Sequence, residues 1–182
     1  MKTIYFILLI SFAGLSAKAQ SIAVSKNASI SFFSSTVVED IEGKSNTANS
    51  ALDLKTGNII FKVMNTSFQF KKKLMQEHFN ENYMESNTYP FSEFKGKIID
   101  PVDFNKDGNY TLSVEGTLNI HGVTKTCQSK VNLVIDKGII SAKSVFRIKI
   151  ADYKIKVPSI VFKNVAESVE VRVSAVYQPK TI

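Results

Sequence analysis

Few residues in this chain could do chemistry. Among 182 residues there are two histidines, His78 and His121, and one cysteine, Cys127. A nucleophilic site needs a Ser, Cys or Thr activated by a base that a third group orients. Glu77, beside His78, falls on a different helical face, and His121 has no acidic residue within four positions. No Gly-x-Ser-x-Gly elbow occurs. A zinc site wants three or four His, Cys or carboxylate ligands at short spacings, and neither histidine has that company. Cys127 cannot form an internal disulfide, and it shares the strand parity of Val131, Leu133 and Ile135. It reads as a small apolar core residue. The run Asp103-Phe104-Asn105-Lys106-Asp107-Gly108 matches the first half of a calcium loop. The position of the bidentate glutamate holds Val114 instead, and Asp107-Gly108 is a preferred hairpin turn. These residues argue against an enzyme, a metal site or a cofactor. His78 is expected to be a lid residue and His121 a turn residue.

The elements that would position any site are mostly strands. Ala28, Ile30 and Phe32 alternate with Ser29 and Ser31. A polar stretch from Ser34 to Ser50 predicts a short strand or an ordered loop. Ile59, Phe61 and Val63 alternate with Lys62, and Phe68 and Phe70 repeat the pattern. Phe94, Gly96 and Ile98 define the next strand. From Tyr110 to Gly122, Leu112, Val114, Gly116, Leu118 and Ile120 face one way, and polar residues face the other. Gly116 leaves a gap in that apolar face, fit for sharp curvature or a ligand's approach. Val131, Leu133 and Ile135 return. Ile140, Ala142, Phe146 and Ile148 follow, with Tyr153, Ile155 and Val157 continuing after a bulge near Ala151-Asp152. Pro158 breaks the pattern, and Val169 to Tyr177 form the last strand.

One segment departs from this alternation. In Lys71 to Phe94, residues Leu74, Met75, His78, Phe79, Asn82 and Tyr83 recur at spacings of three and four, which predicts an amphipathic helix of about three turns. Tyr89-Pro90 ends it. A lone helix among strands must bury its apolar stripe on the sheet, covering a face or closing an end. About eight strands with hairpin-length turns and no βαβ alternation predict an antiparallel barrel, with a sandwich as the alternative.

Composition fits one domain with a real core: 44% of residues are hydrophobic. The net charge is +7, and removing Lys2 and Lys18 with a leader leaves +5. The lysines are spread along alternating strands, so no nucleic-acid partner is expected. Residues 1–19 read as a secretory signal: Lys2, the apolar run Ile4 to Leu15, then Ala17-Lys18-Ala19 before Gln20. That run is too short for a stable membrane anchor. The expectation is a periplasmic or secreted domain spanning residues 20–182.

Three stretches resemble the YceI-like family of lipocalin-like, polyisoprenoid-binding proteins. They are His78-Phe79, Tyr83, Tyr89-Pro90 with Phe94-Lys95-Gly96-Lys97-Ile98; Gly116 to Lys125; and Phe32 to Ser35 followed by Ile41-Glu42-Gly43. The last of these is similar to the family's first strand and first turn. The likeness runs from about Ile22 to Tyr177. It implies an eight-stranded antiparallel lipocalin-like barrel with one helix covering or closing it. The implied partner is an isoprenoid-type lipid, a quinone tail or prenyl phosphate, held inside the barrel for storage or transport. Candidate ligand-binding residues are Phe61, Val63, Leu74, Phe79, Phe94, Leu118, Ile120, Phe146 and Ile148. Lys95 and Lys97 are candidates for meeting a charged headgroup at the rim. A filled barrel serving as an interaction module of the cell envelope is the alternative. The number of copies in the working unit stays open, a homodimer included.

Overall fold

The computed structural model describes residues 22–157 and 165–179. The expected signal at 1–19 and Pro158 lie outside them. Among the described residues nine strands form in chain order: β1 Ile22–Ser35, β2 Asp40–Asp53, β3 Asn58–Met64, β4 Gln69–Phe70, β5 Phe91–Ile98, β6 Gly108–Ile120, β7 Val123–Asp136, β8 Ile139–Lys149 and β9 Ser168–Pro179. The helix α1, Lys73–His78, lies between β4 and β5. The sheet runs β1-β9-β8-β7-β6-β5-β3-β2, every pairing is antiparallel, and β1 pairs with β2 to close the ring. The result is an eight-stranded barrel. The two-residue β4 pairs with β2 at Gly43 and Lys44, on the edge that β3 pairs lower down.

Two corrections concern local structure. The stretch after Ser34 is mostly a full strand, β2, in which Ser45, Ala48, Ser50 and Leu52 are buried. Its small alternating residues hide an inward face that a search for large apolar residues misses. Ile41 to Gly43 therefore lies within a strand, and the first turn is residues 36–39. Secondly, Tyr153 and Ile155 do not continue β8. A 3-10 turn, Ile150–Tyr153, ends it, with Lys154 left-handed at φ 57°.

The turns follow from their residues. His121-Gly122 and Lys137-Gly138 each place two successive residues at positive φ, the two-residue hairpin that matches strand twist. Asp53 accepts the Lys55 N–H at 2.8 Å, and this bond holds its carboxyl below the usual range. Gly96 and Gly116 are opposed across β5 and β6. A Cβ at Gly116 would strike the Lys95 carbonyl and come within 2.8 Å of the Phe94 ring. The gap expected at Gly116 is thus occupied by the Phe94 ring, which lies along its strand over both glycines.

The end of the barrel that carries the β2–β3 and β7–β8 turns is filled. Leu52, Leu133, Ile140 and Tyr177 are each 2% exposed or less there. The Tyr177 hydroxyl bonds Ser50 Oγ at 2.7 Å, and Ser50 donates to the Ile60 carbonyl at 2.7 Å. Burial pushes the Tyr177 phenol up to about 12. The loop 99–107 crosses this end with Phe104 buried. Its Asp100 carboxylate accepts the Ser113 backbone N–H. Asp103 Oδ1 accepts from the backbone and side-chain nitrogens of Asn105 in a local turn.

Candidate functional site

Toward the opposite end the inward side chains stop meeting. A cavity of about 500 Å³ opens there, within the range of small-molecule sites. All nine candidate residues border it: Phe61 and Val63 on β3, Phe94 on β5, Leu118 and Ile120 on β6, Phe146 and Ile148 on β8, and Leu74 and Phe79 from the helical segment. Residues not singled out from sequence complete the wall, among them Ile30, Phe32, Phe68, Phe70 and Val171. Most share the alternation of the residues that were named. Cys127 also borders the cavity and is half-buried, so it is a cavity-wall residue and not a core one. Burial raises its thiol pKa. Lys95 and Lys97 are exposed on the outer face of β5 and take no part in the wall. The charged pair at the cavity is Lys72 and Glu39, 2.7 Å apart.

The helical segment is shorter and less buried than its periodicity predicts. α1 has six residues and runs into a π-helical turn, Phe79–Tyr83, which rotates the apolar stripe. Leu74 is 60% exposed while bordering the cavity, and Asn82 is exposed. Phe79 is the anchor. Its ring sits 5.4 Å from Phe32, 5.4 Å from Phe68 and 5.1 Å from Phe70. Gly43 makes room: a Cβ there would come within 2.6 Å of Phe32 and 2.8 Å of Phe70.

Two polar fastenings hold this lid, and neither is readable from local sequence. Asn65 is fully buried in the 3-10 turn after β3. Its N–H donates to the Pro90 carbonyl at 2.9 Å, its Nδ2 to the Tyr89 carbonyl at 2.6 Å, and its Oδ1 accepts from Ser92 at 2.8 Å. One side chain thereby ties the beginning of the excursion to its end. His121 forms the second fastening. Its Nε2 is 2.9 Å from Glu85, its Nδ1 is 3.2 Å from the Tyr153 carbonyl, and its ring lies edge-on to Tyr89 at 4.6 Å. His121 is the expected turn residue, with an acidic partner 36 positions away. His78 borders the cavity from the helix. Among the described residues no three His, Cys, Asp or Glu side chains converge as metal ligands, and no helix is long and apolar enough to cross a membrane.

A hollow, apolar, lidded barrel can be set beside known proteins. The model of the YceI-like domain matches residues 21–177. The chain belongs to this family. Solved structures similar to the YceI-like barrel include a polyisoprenoid-binding domain from Saccharophagus degradans implicated in plant cell wall breakdown. It has a TM-score of 0.74 at 16% identity, covering 88% of this chain and 99% of that one. BcnA of Burkholderia cenocepacia has a TM-score of 0.70 at 18% identity, covering 82% and 95%. The Campylobacter jejuni YceI protein has 0.61 at 16%, covering 76% and 85%. The comparison with curated proteins finds none that matches.

Proposed function

We propose that this YceI-like barrel is an exported carrier that holds a long apolar chain of the polyisoprenoid type for storage or transport. The observation that supports this reading best is the cavity of about 500 Å³ with its almost wholly apolar wall. Such a wall attracts hydrocarbon by removing it from water, at roughly 0.8 kcal/mol per CH₂. Ten buried carbons would contribute about 8 kcal/mol before ordering costs. No catalytic group is needed for that. The polyisoprenoid-binding domain among the structural neighbours supports the ligand class, as does membership of a family of binding proteins. The candidate contacts are the nine wall residues. Phe61, Val63, Phe94, Leu118, Ile120, Phe146 and Ile148 line the barrel, and Leu74 and Phe79 close it.

Organic extraction of the purified protein followed by mass spectrometry tests the reading. A stoichiometric isoprenoid in the extract is expected. An empty barrel that also refuses added prenyl alcohols would refute the carrier.

A further inference from the structure

The barrel wall is not laddered evenly. β6 and β7 pair along their full length, to Ile120 and Val123. β8 and β9 pair as far as Lys149 and Ser168. Between β7 and β8 the ladder ends at Val131 and Ser144, although both strands run on beside the cavity. Residues 127–130 of β7 and 145–148 of β8 face each other without sheet pairing, over roughly 13 Å at ~3.3 Å per residue.

Side chains finish what the sheet leaves open. Past the last pair, the Lys130 carbonyl would be left without a partner. Ser144 Oγ donates to it at 2.7 Å, and Ser129 Oγ bonds Ser144 Oγ at 2.9 Å. These serines occupy inward positions where the alternation otherwise places apolar groups. Gln128 and Lys143, outward by alternation, also border the cavity. The top of the seam is crossed by the Ile150–Tyr153 turn. Tyr153 is buried beside Cys127, and its carbonyl is held by His121.

We infer that this β7–β8 seam is a lateral portal. The apolar chain enters and leaves the cavity there, and its polar end comes to rest at Ser129, Ser144, Gln128 and Lys143. The inference rests on the carrier reading. Passage through the seam breaks no backbone ladder. The helical end is fastened by Phe79, Asn65 and His121, and its front is spanned by Lys72 and Glu39. With the Ser144 hydroxyl donating to the Lys130 carbonyl at 2.7 Å and Ser129 Oγ 3.3 Å from the same carbonyl, the serine oxygens offer acceptor lone pairs. They suit a hydroxyl-bearing end, and Lys143 adds a cation.

Bridging the two lips separates the routes. In a Cys127→Ala background, Thr126→Cys with Arg147→Cys flanks the seam from exposed positions outside the cavity wall, and Glu39→Cys with Lys72→Cys flanks the helical mouth. Each pair is tied with a bismaleimide, and stopped-flow uptake of a fluorescent polyprenyl alcohol and of a fluorescent straight-chain dye is recorded. Bridging the seam is expected to slow uptake and release alike, by about tenfold or more, with Kd held within about twofold. Bridging the mouth is expected to leave both rates within about twofold. Unchanged rates with the seam bridged, or slowing only with the mouth bridged, would overturn the portal. If the dye enters through the seam but the prenyl alcohol does not bind, the carrier reading falls and the portal stands. If neither binds, both fall.

Discussion

The two halves of this barrel are built from the same alternation and end in opposite states. On β8, Ile140 and Ile148 both point inward. Ile140 is 2% exposed, whereas Ile148 is half-buried and borders a void. On β9, Tyr177 is 1% exposed at the floor of the cavity, and Val171 is half-buried in its wall. The difference is what lies across the axis. At the filled end, Leu52, Leu133, Ile140 and Tyr177 share one core with Phe104 from the covering loop. At the hollow end the covering segment, α1 with the π-turn after it, spends its large aromatic anchor, Phe79, on Phe32, Phe68 and Phe70 at one side. Inward hydrophobicity makes a barrel, and the covering segment decides whether it is full.

The largest predicted contrast comes from truncating one inward residue in each half. Leu133→Ala is expected to lower the free energy of unfolding by roughly 2–5 kcal/mol, because it opens a cavity in a closed core. Ile148→Ala already faces space and is expected to lower it by about 1 kcal/mol or less. Urea unfolding of the ligand-free protein compares them. Equal losses would mean the hollow end is as tightly packed as the filled one.

A second difference appears in alkali. The Tyr177 phenol is raised from its ordinary 10 to about 12 by burial, and the Ser50 bond works against the rise. Folding therefore favours the protonated form. The associated stability is intact below pH 10 and lost as pH climbs toward 12. About 2 units correspond to roughly 2–3 kcal/mol. Tyr177→Phe is expected to be slightly less stable at neutral pH, having lost one hydroxyl bond. It should then lose less than the native protein between pH 10 and 12.

A smaller effect is expected at Asp100, whose carboxyl is held below its usual range chiefly by the Ser113 N–H. Its contribution is present above the ordinary carboxylate range and fades as pH falls through the lowered value. Asp100→Asn should unfold at lower urea than the native protein at pH 7, and the gap should narrow in acid. A gap constant with pH would mean the loop is held by other contacts.

Most of the frame was legible because strands with one apolar face announce themselves. Phe61, Phe94, Leu118 and Phe146 could be named as inward for that reason. β2 was harder, since its buried face is Ser45, Ala48 and Ser50. The helix is shorter than its spacing predicts because periodicity alone does not reveal that the α-helix stops after six residues, at the π-turn Phe79–Tyr83. His121 and Glu85, or Asn65 and Pro90, meet only after the chain has closed, and no local pattern signals such pairs. The seam did leave a trace: Cys127, Ser129 and Ser144 interrupt the apolar alternation where the ladder ends.

Methyl NMR during titration with farnesol, a short isoprenoid alcohol, tests the hollow-and-filled division most directly. The Ile148, Leu118 and Val171 methyls are expected to shift to saturation, while those of Ile140, Leu52 and Leu133 stay in place. Shifts of equal size in both sets, or none at saturating farnesol, would contradict it.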